Sequence, residues 1–250
     1  MAEVLVRLPK TVSHAREHLA EGAVPIGGAT LVWATWQRDG FPEQAMSLRE
    51  LPQANVIGPE ELGGAVVLSR VDGRVPYVLR AAAGSVGTGA VRRAATVGGN
   101  LAGSALRCLL PAALVLEARA TVLAAHGVYE TDLAEVTAKR PVLLGLRWNT
   151  PVASAYRKLP GEAGGAPPLV VATALHAGAD GRHRLRAAVR DGYEVLTATA
   201  SGTGTATGTR GPDPAPLLDE LRETPVADVP DAWNLVTEQV TTLLAAAPDR

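Results

Sequence analysis

The sequence predicts an α+β protein in two parts. Its first half alternates strand-like and helix-like segments around two Gly-Gly turns, and its last third carries three strand-like stretches followed by an amphipathic terminal helix. At 250 residues the chain is long enough to bury about 70 to 75% of its unfolded surface, so it needs no disulfide to fold. Hydrophobic residues make up 47% and charged residues 20%, values that exclude long disorder and collagen-like order together.

The elements follow in order. Val4 and Val6 alternate with Glu3, Leu5 and Arg7, the pattern of a short strand stopped by Pro9. A helix comes next, capped by Thr11 or Ser13, striped by Val12, Ala15, Leu19 and Ala20, and ended by Gly22, which accepts a left-handed conformation. Ala23 to Ile26 is a strand that enters the turn Gly27-Gly28-Ala29-Thr30, and the apolar run from Leu31 to Ala34 starts a short helix. Ala45 to Leu48 and Ala65 to Leu68 are strand candidates, and Tyr77 to Ala83 forms a helix behind Pro76. The stretch from Gly84 to Leu101 reads as helix-poor and contains the second glycine turn. A helix over Pro111 to Ala118 and strands over Ala120 to Ala124 and Val142 to Arg147 follow. Leu169 to Ala177 and Leu185 to Val189 suggest antiparallel strands joined at Gly178 to Gly181, with Tyr193 to Thr199 as a third. Thr203 to Gly211 reads as a mobile Gly/Thr loop, and Asp231 to Ala247 is amphipathic through Leu235, Val236, Val240, Leu243 and Leu244. The division into parts is expected near residue 156, giving units over 1–155 and 156–250.

Several function classes fall away. A net charge of -1 supplies no long-range field for nucleic acid or an anionic membrane. The start of the chain lacks a basic region followed by an apolar run, and the apolar stretch from Leu109 to Ala125 is broken by Glu117 and Arg119, so a cytoplasmic protein is expected. The single cysteine, Cys108, cannot form an internal disulfide or a four-cysteine iron–sulfur cluster, and its apolar neighbours mark it as a small buried hydrophobe. His14-Ala15-Arg16-Glu17-His18 matches the spelling of some zinc peptidases, but no third ligand is marked and two solvated histidines on a charged helix explain it. No G-x-S-x-G elbow and no G-x-G-x-x-G after a strand occur, which removes the hydrolase and Rossmann readings.

What remains is the pair of turns Gly27-Gly28 and Gly98-Gly99. Adjacent residues without β-carbons let backbone N–H groups converge on an anion, and Thr30, Thr96 and Asn100 can add side-chain hydrogen bonds. A diphosphate suits that arrangement. Taken alone, such turns are more often structural punctuation than ligand loops.

A family resemblance supports the ligand reading. Val24-Pro25-Ile26-Gly27-Gly28-Ala29-Thr30-Leu31, then Gly89-Ala90-Val91-Arg92-Arg93-Ala94-Ala95-Thr96-Val97-Gly98-Gly99-Asn100-Leu101-Ala102, then Pro111 to Ala118, resemble in wording and order the FAD-binding (medium) subunit of the molybdenum hydroxylases, the xanthine and carbon monoxide dehydrogenase type. Ala155-Tyr156-Arg157-Lys158-Leu159 resembles the passage from that family's flavin domain to its C-terminal domain. The resemblance implies a two-part FAD-binding domain of the vanillyl-alcohol-oxidase (PCMH) type over 1–155 and a small C-terminal sheet-plus-helix domain over 156–250. It implies cofactor contacts from Ile26, Gly27, Gly28, Ala29, Thr30, Leu31, Thr96, Val97, Gly98, Gly99, Asn100 and Lys158. It also implies partner subunits that carry the molybdenum cofactor and iron–sulfur centres, with FAD passing electrons to an acceptor such as NAD or a quinone. Two acids of the family pattern are absent: the first loop has Thr30 where the family has aspartate, and Ala105 to Pro111 contains none.

Three functions are consistent with these residues. They are an FAD-binding oxidoreductase subunit, a stand-alone flavoprotein, and a flavin-free descendant that binds a small molecule or catalyses its isomerisation or cyclisation. No acid–base pair stands out for the last, since His126, Glu130, Asp132 and Tyr156 are ordinary surface types in sequence.

Overall fold

The N-terminal strands pair in parallel. β1 (Leu5–Arg7), α1 (Val12–Ala20), β2 (Val24–Ile26), α2 (Val32–Asp39) and β3 (Gln44–Ser47) build a three-stranded sheet in the order β1-β3-β2. The structure is a computed structural model that describes residues 4–161, 165–178, 182–202 and 213–246. Local chemistry sets the boundaries as the sequence suggests: Thr11 accepts the His14 N–H at 3.2 Å to cap α1, and Gly22 sits at φ +86° beyond its end.

β4 (Glu61–Gly63) leads through α3 (Tyr77–Gly84), α4 (Gly89–Ala94) and α5 (Leu110–Val115) to β5 (Arg119–Ala124), β6 (Gly127–Thr131), α6 (Leu133–Lys139) and β7 (Val142–Arg147). The strands form an antiparallel sheet, β4-β7-β5-β6, with a register shift at Thr121/Val122. Then come β8 (Ala153–Lys158), β9 (Val170–Ala177), β10 (His183–Asp191), β11 (Glu194–Gly202), α7 (Ala215–Arg222) and α8 (Pro230–Ala246), with the strands in the antiparallel order β11-β10-β9-β8. The result is a mixed α+β fold with three sheets. No helix among the described residues is long and apolar enough to cross a membrane.

The chain divides into two units, one of Met1–Val75, Ala83–Leu109 and Ala118–Trp148, the other of Pro76–Ala82, Leu110–Glu117 and Asn149–Arg250. The division expected at 155/156 falls inside β8, all of which belongs to the second unit. In the first unit, Ala15 of α1, Met46 of β3, Leu48, Leu51, Leu123 of β5 and Leu144 of β7 share one buried cluster, so both sheets contribute to one core. Burying each such leucine contributes roughly 1.5 to 3 kcal/mol. In the second unit, Val171 and Leu175 of β9, Leu185 and Val189 of β10, Leu217 and Leu221 of α7 and Val236, Val240 and Leu244 of α8 form the core. A buried Thr173 hydroxyl donates to Gln239 Oε1 at 2.7 Å, pinning α8 to β9. His176 Nε2 lies 2.8 Å from the Val115 carbonyl oxygen, tying α5 to the same sheet.

Three local expectations are corrected. Ala65 to Leu68 is not a strand: Val67 makes an isolated bridge to Thr96, Leu68–Arg70 is a 3-10 turn, and the strand of this region is β4. Gly84 to Leu101 is not helix-poor, because the Thr88 hydroxyl accepts the Val91 N–H and starts α4, and a π-helical turn covers Gly99–Gly103. The helix over Pro111 to Ala118 stops at Val115, and Glu117 takes a left-handed φ of 54° where its carboxylate meets Arg184 and Arg186 of β10. The loop expected at Thr203 to Gly211 and most of the turn at Gly178 to Gly181 lie outside the described residues.

Candidate functional site

β2 and β3 run parallel and end together, with Ile26 opposite Ser47. At their carboxyl ends lies a cleft of about 640 Å³ in the first unit, in the size range of small-molecule sites. Its wall takes Ile26 to Val32 from the first glycine loop and the start of α2, Ser47 to Arg49 from the turn after β3, Thr96 and Gly98 to Asn100 from the second glycine segment, and Arg140 to Leu143 from the end of α6 into β7.

The glycines are required by packing. A Cβ on Gly28 would lie 1.7 Å from the Ala94 carbonyl oxygen, and one on Gly27 would lie 2.3 Å from Thr96 Oγ1. The two loops can touch only without those atoms. Gly98 has φ −62°, an ordinary helical value, and its Cβ would meet the Gly64 carbonyl oxygen at 3.0 Å. The left-handed residue of the first loop is Ala29, at φ 55°.

Hydrogen bonding separates the roles of the two loops. In the second segment the Gly98 N–H donates to the Gly64 carbonyl at 2.8 Å, the Gly99 N–H to Thr96 Oγ1 at 3.1 Å, and the Asn100 N–H to the Thr96 carbonyl at 2.9 Å. Asn100 Oδ1, itself buried, accepts the Leu109 N–H at 3.0 Å. In the first loop the backbone N–H groups of Gly28, Ala29, Thr30 and Leu31 donate to no described residue. Successive N–H groups around a left-handed residue form a concavity suited to an anion. The donor set therefore fits a diphosphate at the first loop, with the second segment as its rigid backing.

The electrostatics agree. Arg49 and Arg140 are the ionisable side chains on the cleft wall, and no aspartate, glutamate, histidine, cysteine, lysine or tyrosine lines it. Ser47 is buried beside it, with a hydroxyl that bonds to no described residue. Such a wall can bind and orient an anionic ligand, but it holds no group that exchanges protons near neutral pH. Any chemistry in the cleft comes from what is bound there.

Of the site residues read from sequence, Ile26, Gly27, Gly28, Ala29, Thr30, Leu31, Thr96, Gly98, Gly99 and Asn100 all line this cleft. Val97 is fully buried in the core behind it, and Lys158 stands on β8 in the second unit. Sequence reasoning missed Ser47, Arg49 and Arg140. The first two follow β3 with no motif of their own. Arg140 is the C-cap of α6, whose Asp132 accepts the Glu135 N–H at 2.8 Å, so the Asp-x-x-Glu start of that helix was the available signal. Cys108 is buried, and among the described residues no group of three or more His, Cys, Asp or Glu is placed to hold a metal.

No protein-family model matches the chain, and no curated protein matches it in sequence. Solved structures do. Reconstituted CO dehydrogenase from Oligotropha carboxidovorans superposes with a TM-score of 0.72 at 18% identity, covering 98% of this chain and 99% of that one. Carbon monoxide dehydrogenase from Hydrogenophaga pseudoflava, in a form lacking the Mo-pyranopterin moiety, gives 0.69 at 18% identity over 98% and 99%. Quinoline 2-oxidoreductase from Pseudomonas putida 86 gives 0.66 at 17% identity over 98% and 96%. The chain thus shares, over nearly its whole length, the fold of chains from these oxidoreductases.

Proposed function

We propose that this chain is an FAD-binding oxidoreductase subunit that passes electrons between iron–sulfur and molybdenum partner subunits and an acceptor. The observation that carries the reading is the cleft at the ends of β2 and β3, where a wall free of carboxylates combines uncommitted backbone N–H groups with two arginines. The fold shared with CO dehydrogenase chains supports it. In this reading the first unit is the PCMH-type flavin domain and the second the C-terminal domain.

The N–H groups of Gly28 to Leu31 would hold the FAD diphosphate, and Thr30, Ser47 and Asn100 would add side-chain contacts. Val67, Val86, Val91 and Leu143 give the wall its apolar surface and exclude water from the bound group. FAD, when bound, would supply the chemistry by accepting electrons one at a time from iron–sulfur centres and releasing them singly or in pairs to an acceptor. The chain positions that group and contributes no proton donor from the wall. Cys108 cannot ligate a cluster by itself, so the relay centres belong to other polypeptides. The alternative of a non-redox isomerisation or cyclisation in the same cleft requires an acid–base pair that the wall does not offer.

The test is a visible absorption spectrum of the purified chain with and without added FAD. Bound flavin is expected to shift and sharpen the flavin bands at one equivalent per chain. A folded protein that leaves the spectrum of free FAD unchanged contradicts the proposal.

A further inference from the structure

Several arginines elsewhere in the described chain sit beside a carboxylate: Arg38 with Asp39, Arg74 with Asp72, Arg184 and Arg186 with Glu117, Arg222 with Asp219. Arg49 and Arg140 do not. Their side chains form no hydrogen bond and no ion pair with any described residue, and both line the same cleft. They come from separate elements, the 3-10 turn Leu48–Glu50 and the C-cap of α6, and Leu48 and Val142 beside them pack into one cluster. A chain with a net charge of -1 thus presents a cationic wall here.

The backbone adds a second observation. Arg140 holds φ 51°, a left-handed C-cap position that glycine fills without strain. A cation at a helix C-terminus gains from the helix dipole, which is the structural explanation for an arginine there. That explanation does not reach Arg49, which caps no helix end of this kind and faces the same space.

We propose that Arg49 and Arg140 are the specificity-determining residues of the cleft, and that they select a nucleoside diphosphate group over a nucleoside or its monophosphate. The inference rests on reading the cleft as the diphosphate site, and it deepens that reading by assigning the choice of ligand to two side chains outside both glycine loops. Guanidinium groups suit phosphate oxygens because their planar donors match the geometry and they are weakly hydrated. Both arginines are solvent-exposed, so their contribution falls as salt screens it.

The experiment is calorimetric titration of the full chain with ADP, AMP, adenosine and FAD. The wild type is expected to bind ADP more tightly than AMP and AMP more tightly than adenosine, with ADP affinity falling as salt is raised. Arg49→Gln and Arg140→Gln should each weaken ADP about tenfold and leave adenosine unchanged. Arg140→Gly relieves the left-handed strain while removing the guanidinium, so it should lose the same ADP affinity with melting temperature retained or raised. Unchanged ADP affinity in the Arg49 and Arg140 variants overturns the proposal, as does an equal loss for adenosine. FAD binding that ignores both substitutions sinks this inference while leaving the flavin reading intact. Arginine-dependent ADP binding without any FAD binding supports the inference and removes the flavin reading.

Discussion

Replacing Gly28 by alanine tests whether contact between the two loops builds the cleft. The added Cβ would sit 1.7 Å from the Ala94 carbonyl oxygen and 2.3 Å from its carbon, about half an ordinary contact distance. Both partners are backbone, so no rotamer change relieves the clash and the loop must retreat by on the order of 1 to 2 Å. Overpacking of this kind costs about 1 to 3 kcal/mol, which for a chain of this size lowers the melting temperature by several degrees. The same retreat carries the N–H groups of Gly28 to Leu31 out of hydrogen-bond range of a ligand still seated against the second segment. Losing two charge-assisted bonds weakens FAD by roughly 100-fold or more. Gly84→Ala is the control, since a Cβ there meets nothing within 4 Å and should leave binding as it is and melting unchanged or slightly raised. Scanning calorimetry and flavin-fluorescence titration read both effects. A Gly28→Ala protein as stable as wild type, with unchanged FAD affinity, would refute the reasoning.

Other consequences are open to the same methods. A Cβ on Gly99 meets only Thr96 Oγ1, at 3.1 Å, so the valine of Gly99→Val extends into the cleft and should abolish FAD binding with the fold retained; wild-type affinity in that variant rules out a ligand there. Thr30→Asp supplies the carboxylate that the resembled pattern has at this position, as an acceptor for a sugar hydroxyl of the cofactor and not as a diphosphate contact; a gain of about one decade in FAD affinity is expected by titration, and a loss would show that the added charge faces the phosphates. Glu135 accepts hydrogen bonds from the Thr131 hydroxyl at 2.8 Å and the Tyr129 hydroxyl at 3.2 Å and faces Lys139, which together hold its carboxyl below the usual glutamate range. Its stabilising contribution is therefore present above the unfolded-state value and lost as pH falls through the lower folded value, so melting curves of Glu135→Gln should show a flatter acid limb than wild type. Iron and acid-labile sulfide should be absent from the isolated chain; finding both at cluster stoichiometry would contradict the assignment of the relay to partners.

Legibility followed the range of each signal. Thr11, Gly22 and the Gly27-Gly28 turn act on their immediate neighbours, so α1, β2 and the first loop were readable from residues alone. Ala65 to Leu68 misled because a short apolar run suits any buried segment, and here Val66 and Leu68 are buried without a strand partner beyond the Val67–Thr96 bridge. β6, α6, β8 and α7 went unread because each is eight residues or shorter and buries only one or two of them, too few to set a period; in α7 only Leu217 and Leu221 are buried. At the site, the sequence marked both glycine loops but could not tell their roles apart. Whether an N–H group already has an acceptor depends on Gly64, which lies more than thirty residues before Gly98. Arg49 carries no motif, and the capping signal of α6 locates the end at Arg140 without showing that both arginines line one cleft.

Backbone hydrogen–deuterium exchange with and without FAD tests the central claim most directly. In the free chain the amides of Gly28 to Leu31 have no acceptor among the described residues and should exchange fast, whereas those of Gly98 to Asn100 are already bonded. Saturating FAD should slow exchange in the peptide that covers residues 27 to 32 and change residues 96 to 101 little. FAD that binds without protecting residues 27 to 32 would place the diphosphate elsewhere and contradict the account.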